Sequence, residues 1–332
     1  MNGLALWKKL ALGATGMAAV AVPIAVGILN APAIRAQEAD DWQKAAGGKM
    51  AFEVASVKPS AGKLVPSPSD YPLTTADAYH PNGGRFRADL PLWRYILFAY
   101  KIWPAEEQKQ ETLAHLPKWI TIDSYSIDAR ATGNPTKDQM RLMVQSLLAD
   151  RFKLKVHFET REASVQALTL IQAGKLGPKL RVHADGPPCG DFGAWQSTPA
   201  GQSLLRGNPL SATFPPYCDS GGVVNRPNGM MLFGYRNATM DLVASSLSSL
   251  EGLGLGRPVI DKTELKGRFD FTIEWLPDPH NPPPSDSPAV PADPIGPTVV
   301  QALRDQLGLQ MKSTKAPIQV LVIDRVERPS EN

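Results

Sequence analysis

Five histidines, two cysteines and scattered carboxylates are what this chain offers to chemistry, and their spacing decides what they could do. His80, His115, His157, His183 and His280 stand far apart, and no H-E-x-x-H sets two of them one helical turn apart around a zinc ion. No G-x-S-x-G elbow presents a hydrolase serine. No G-x-x-x-x-G-K-[ST] loop and no strand-linked G-x-G-x-x-G is present to cradle phosphates. The glycine run Gly252-Leu253-Gly254-Leu255-Gly256 follows a predicted helix instead of opening one, and reads as its stop before Arg257-Pro258. Acidic pairs occur at Asp40-Asp41, at Asp123 with Asp128, and at Asp261 with Glu264, in a tail, a strand edge and a turn. A glycosidase needs two carboxylates facing each other across a cleft, which spacing along a chain does not supply. No residue is therefore assigned as catalytic, cofactor-binding or metal-ligating. A hydrolase with an unrecognised carboxylate site is kept as an alternative.

One segment looks like a motif, running from Arg257 to Phe271 (RPVIDKTELKGRFDF). Its residue types suit a turn. Pro258 stops the preceding helix, Asp261 and Thr263 can bond nearby backbone N–H groups, and Gly267 supplies a positive φ before a strand. His157 alternates with apolar neighbours on a predicted strand and is expected to face solvent.

The elements that must position these residues follow from hydrophobic period. Residues 51–58 alternate Phe52, Val54 and Ser56 against Glu53, Ala55 and Val57, which predicts a strand stopped by Pro59. A short strand around Phe86 precedes a helix starting near Pro91 (LWRYILFAY), and residues 119–130 predict a further strand. Thr136 caps a helix carrying Met140, Met143, Leu147 and Leu148, followed by strands at 152–159 and 165–171. The second half repeats the order: strand 230–236, a helix capped by Asn237 or Thr239, strand 269–275, a helix from Thr298 ending at Gly308, and strands 309–313 and 318–324. Aligned, Phe152 falls on Leu307, Leu154 on Leu309 and Val156 on Met311, which points to an internal duplication.

The first residues bear on compartment. Lys8 and Lys9 precede residues 10–29, which carry no charge, and small residues lead to Ala36. Basic, apolar, then small is the layout of a secretory signal. The apolar run also reaches the ~20 residues that cross a bilayer, so residues 1–36 read as a signal peptide or an N-terminal membrane anchor. Both place the remainder outside the cytoplasm, periplasmic or extracellular, and on the second reading residues 10–29 hold it to the inner membrane. Of 35 basic residues, Lys8, Lys9 and Arg35 lie in this leader, which has no acid. The other 32 balance 32 acids, so the net charge of +3 belongs to the leader, and no nucleic-acid partner is expected. Outside the cytoplasm, Cys189 and Cys218 read as a disulfide, with no C-x-x-C and only His183 near enough to argue for a metal. Closing that loop of roughly 30 residues would add about 3–4 kcal/mol.

The stretches FEVASVKP, LLADRFKLKVHFETRE, GRPVIDKTELKGRFDFTIEW and LRDQLGLQMKSTKAPIQVLVIDRVERPSEN carry a resemblance. They resemble a soil-associated family of uncharacterised exported bacterial proteins, over nearly all of the chain after its leader. The resemblance implies a domain that is also found attached to membrane metallopeptidases of the β-lactam-sensor type, whose last membrane segment the leader is similar to. The zinc motif of that peptidase is absent here, so no peptidase activity is implied. Glu264 departs from the D-K-T-G-L pattern of the family, where glycine stands. The 257–268 turn also has a likeness of shape to the short N-terminal domains of secretins and TonB-dependent receptors, which implies partner binding.

Taken together the expectation is an α+β protein of two similar lobes. Each lobe packs helices on a mostly antiparallel sheet built from βαβ and αββ units. The lobes are expected at 50–182 and 229–327, separated by a Pro/Gly-rich insertion at 183–228, with a Pro-rich linker at 277–297 inside the second. The expected function is an exported, non-enzymatic module that binds a protein or ligand of the cell envelope, with strand edges as one route. A sensor ectodomain working with a membrane metallopeptidase is the alternative, beside the hydrolase.

Overall fold

The computed structural model describes residues 41–60, 69, 71–73, 81–184, 220–226, 229–249, 256–277 and 296–329, with backbone alone at 41, 220–225 and 249. Residues 1–36, where a signal peptide or anchor is expected, lie outside the described residues, as do His80, His280, Cys189, Cys218 and nearly all of 277–297. No helix among the described residues is long and apolar enough to cross a membrane.

After a short helix α1 (Asp41–Ala45), the first sheet is built from β1 (Val54–Pro59), β2 (Arg85–Pro91) and β3 (Ser124–Arg130). Its order is β1-β3-β2, and both pairings are antiparallel. Val57, Phe86, Ala88, Tyr125, Ile127 and Ala129 point inward and are buried. Against them lie α2 (Leu92–Ala99) and α5 (Lys137–Arg151), with α3 (Glu106–Ala114) and α4 (Trp119–Ile122) between. Helix α2 is apolar almost all round and buried on every face except at Arg94, as expected of a helix sandwiched between layers.

The second sheet has the order β5-β9-β7-β6, again wholly antiparallel, from β5 (Leu180–Val182), β6 (Ser220–Asn225), β7 (Met231–Ala238) and β9 (Phe269–Trp275). Its inward residues Phe233, Tyr235, Phe269, Phe271, Ile273 and Trp275 pack with α6 (Met240–Ser249) and with α7 (Val299–Ala302), which runs on into a π-helical turn, Leu303–Leu307. The chain is therefore α+β, with two similar lobes. In each, an edge strand flanks a central strand, and a strand–helix–strand–helix path leads into one long final strand.

The repeat extends to atomic detail at the helix ends. Pro-Thr-x-x-Gln opens both α5 and α7. Thr136 Oγ1 accepts from Gln139 N at 3.2 Å while Gln139 Oε1 accepts from Thr136 N at 2.9 Å. Thr298 and Gln301 do the same at 3.3 and 2.9 Å, so each helix start is closed by a reciprocal box. At the other ends Lys153 (φ 51) and Gly308 (φ 70) both take the left-handed conformation that stops a helix, just before buried Leu154 and Leu309.

The long final strands correct the expected αββ hairpins. Residues 152–159 and 165–171 are one strand, β4 (Lys155–Leu170), and residues 309–324 are one strand, β10 (Leu309–Arg325). They pair with each other, antiparallel, from Leu309↔Leu170 to Ile323↔Val156. One end of this ribbon (Val156, Phe158, Leu321, Ile323) packs in the first core, and the other (Leu168, Leu170, Leu309, Met311) in the second. Its polar middle, Thr160–Glu162 with Ser313–Lys315, is exposed, which is why polarity there does not mark a turn.

Pro317 does not break β10, for a geometric reason. Gln166 N donates to Pro258 O (2.8 Å), and Lys262 N donates to Leu168 O (2.9 Å), so those β4 residues spend their backbone groups on β8 (Val259–Asp261). The alternate residues Val165 and Ala167 therefore face their partners Thr314 and Lys312, and Pro317 turns its missing N–H toward the open edge.

Smaller corrections follow. Residues 119–122 form a helical turn that buries Ile120, and the strand begins only at Ser124. Thr239, whose Oγ1 accepts from Leu242 N at 3.3 Å, caps α6, while Asn237 takes a left-handed turn (φ 57). The stretch 183–228 contains β6. Each core also borrows from the other half of the chain: β5 serves the second sheet, while Leu321 and Ile323 serve the first core. Residues Ala39–Asn332 form one compact unit.

Candidate functional site

The 257–268 segment lays β8 beside β4. Asp261 Oδ1 accepts from Thr263 N (2.8 Å) and from Thr263 Oγ1 (2.7 Å), and Thr263 Oγ1 in turn accepts from Leu265 N (3.3 Å). Pro258 is buried, with its carbonyl bonded to Gln166, and Gly267 sits at φ 96 before β9. The Asp261 carboxylate is thus occupied by its own turn, and Glu264 is exposed. Burial, and then the charge of Asp261, raise the Asp241 carboxyl above its ordinary value.

Glu264 holds φ 61, a conformation that glycine adopts without strain. Glu264→Gly is expected to raise stability by about 0.5–1 kcal/mol, the left-handed cost of an L-residue (about 1–2 kcal/mol) less the freedom glycine adds to the unfolded chain. The midpoint of urea denaturation checks it, and a lower midpoint would show that contacts of the glutamate side chain outweigh the strain.

His157 faces solvent at one end of the ribbon and stands between two acids. Its Nδ1 lies 2.9 Å from Asp324 Oδ1 and its Nε2 3.1 Å from Glu159 Oε1. Glu159 also accepts from Arg161 Nε (2.8 Å), and Arg161 reaches Glu111 on α3 (3.1 Å). The Asp324 hydrogen bond, then the Glu159 bond, raise the imidazole pKa above its ordinary 6.5. Because the folded value exceeds the unfolded one, this contribution to stability is complete below 6.5 and is lost as pH rises through the folded pKa. Ring-proton NMR is expected to show His157 titrating above 6.5, and lower in an Asp324→Asn variant. Equal midpoints in the two proteins would rule out that carboxylate as the cause.

Two other charged groupings are structural. His183 Nδ1 lies 2.8 Å from Asp270 Oδ1, which also accepts from Asn237 N at 2.7 Å and so ties the Asn237 turn to β9. Asp138 at the start of α5 pairs with buried Arg141 and meets Lys101 Nζ at 3.4 Å, while the Arg141 guanidinium lies 5.6 Å from the Phe98 ring centre. Among the described residues no three of His, Cys, Asp or Glu converge as metal ligands would.

The outer face of the first sheet is different. Cross-strand register sets its side chains in rows: Val54–Arg130–Arg85, then Ser56–Asp128–Arg87, then Lys58–Ser126–Asp89. Arg85 approaches Asp128 at 3.9 Å, and Asp89 accepts from Ser60 Oγ at 2.9 Å. Lys58, Arg87 and Arg130 have no carboxylate within ion-pairing distance among the described residues, and neither Ser56 nor Ser126 has a side-chain hydrogen bond there. These residues line a concavity of about 470 Å³, and Val54 stands 70% exposed at its rim. On the matching face of β9 the acids are satisfied: Glu274 by Arg226 (2.6 Å) and Asp270 as above. Among the described residues, the outer face of the first sheet gathers three unpaired cations around free hydroxyls.

Residues 94–326 match a family model described as a protein of unknown function, DUF3738. The chain belongs to this family. The DUF3738 match includes β3, both core-forming helices α5 and α7, and the ribbon, while β1 and β2 precede it. The basic face is therefore built half from residues ahead of the matched region. No curated protein and no solved structure matches the chain.

Sequence reasoning named Asp128 only as half of an acidic pair with Asp123 and Ser56 only as an alternating strand residue, and it did not single out Lys58, Arg87, Arg130 or Ser126. The one available signal was period-2 alternation, which places Arg85, Arg87 and Asp89, or Ser126, Asp128 and Arg130, on a single side of their strands.

Proposed function

We propose that this DUF3738 protein works outside the cytoplasm as a binding module of the cell envelope, that its recognition surface is the outer face of the first sheet, and that its ligand is anionic. The observation that carries this is the concavity in which, among the described residues, Lys58, Arg87 and Arg130 have no ion-pair partner beside the hydroxyls of Ser56 and Ser126. Cations left without partners on a rigid sheet are prepared for charge-assisted hydrogen bonds, and their side chains need no existing pair to break. Strand addition at the open edge of β10 has less in its favour, because Lys312, Lys315 and the outward-turned Pro317 blunt that edge.

The test is calorimetric titration of the protein with short anionic oligomers at low and physiological salt. Lys58→Ala, Arg87→Ala and Arg130→Ala are each expected to weaken binding roughly tenfold, the worth of one charge-assisted hydrogen bond. Binding that survives all three substitutions together would refute the assignment. The compartment is tested separately by an alkaline phosphatase fusion after residue 332, which is active only where the chain is exported.

A further inference from the structure

Resting on that reading, we infer that the ligand is an acidic carbohydrate, a short oligomer bearing carboxylates. The reason is Asp128. A surface shaped for phosphate or sulfate alone has no use for a carboxylate among its lining groups, because like charges repel. Asp128 nevertheless occupies the middle of the face, with Ser56 as its partner on β1 and Arg87 on β2. Its neighbour Arg85 reaches it only at 3.9 Å, with both side chains more than half exposed, so its acceptor oxygens stay available.

A carboxylate beside two hydroxyls accepts from, and exchanges hydrogen bonds with, neutral sugar hydroxyls. The cations lie around that centre. With strands about 4.8 Å apart and two residues spanning about 6.7 Å, the Cα atoms of Arg130 and Arg87 are about 8 Å apart, and those of Arg130 and Lys58 about 14 Å. Such separations match several anionic groups spread along one ligand, with uncharged hydroxyls between them. Exposed Val54 offers an apolar ledge for a ring face. The concavity, about 470 Å³, is broad and open along the sheet face.

The experiment is calorimetric titration with three probes of like length: oligogalacturonate, its methyl ester, and linear polyphosphate. Oligogalacturonate is expected to bind most tightly, with the neutral ester at least tenfold weaker. Asp128→Asn is expected to weaken oligogalacturonate several-fold, because one of the two acceptor oxygens for its hydroxyls becomes an NH2 donor, and to strengthen polyphosphate, because the repulsion removed weighs most on the more densely charged ligand. Circular dichroism checks that the variant folds, and its exposed site makes that the expected result. Polyphosphate binding as tightly as oligogalacturonate to the unaltered protein, or Asp128→Asn leaving oligogalacturonate unchanged, overturns the carbohydrate inference while the anion reading stands. Failure of all three probes, or binding indifferent to Lys58→Ala, Arg87→Ala and Arg130→Ala, overturns both.

Discussion

Gly177→Ala is expected to cost about 3–5 kcal/mol of stability, through overpacking against backbone and the loss of two backbone hydrogen bonds. A Cβ at this position would lie 2.2 Å from the Leu307 carbonyl carbon and 2.3 Å from Gly308 N. Both atoms are main chain at the end of the π-helical turn, so no side chain can swing away. Gly177 N donates to Leu307 O (2.9 Å) and Lys179 N donates to Gln306 O (2.8 Å), and moving the chain out would lengthen both. Gln306 itself bridges the backbone of Glu274, at 3.1 and 2.8 Å, so the strain passes on to β9. Gly174 in the same loop is the control. It has a positive φ of 73 but open space around its Cβ, so Gly174→Ala meets only the left-handed cost of about 1–2 kcal/mol. Urea denaturation of the two variants checks the ordering, and a Gly177→Ala midpoint above that of Gly174→Ala would contradict it.

The elements were legible where local chemistry and burial agree. Thr136 and Thr298 announce their helices because the cap is local, and Phe269, Phe271 and Ile273 announce β9 because alternation and burial coincide. The ribbon was not legible. Thr160–Ser164 is polar because it stands clear of both cores, and polarity between two apolar runs looks the same as a turn. Pro317 is tolerated only because the register of β10 points its nitrogen outward, and register is a property of the pair. The phase of β1 was ambiguous for a related reason. Phe52, Val54 and Ser56 are as apolar as Ala55 and Val57, yet Val57 is buried and Val54 exposed. That choice decides which face of the sheet carries Lys58, and with it the candidate site. The site is a property of three strands in register, two of them separated in sequence from the third, so it could be found only once the faces were known. The 257–268 turn was the opposite case, since Asp261 and Thr263 bond within a few residues of themselves.

Phe86→Ala is expected to cost about 3–5 kcal/mol, as for the loss of any large, fully buried aromatic ring. Phe86 is completely buried, with Tyr71, Phe98, Phe52 and Tyr95 around it at ring-centre distances of 5.5, 5.9, 6.0 and 6.3 Å. Its cross-strand partner is Ala129, too small to fill the space left behind. The effect should not stay in the first lobe. Both cores are built on the same pair of strands, Val156 and Ile323 anchoring one end and Leu168 and Leu309 the other, so releasing one end loosens the register of both. Native-state hydrogen exchange is therefore expected to show amides of β3 and β9 losing protection together in Phe86→Ala, with one unfolding transition in urea. If β9 amides keep wild-type protection while those of β3 lose it, the ribbon joins two independently stable lobes and the coupling argued from its shared strands is wrong.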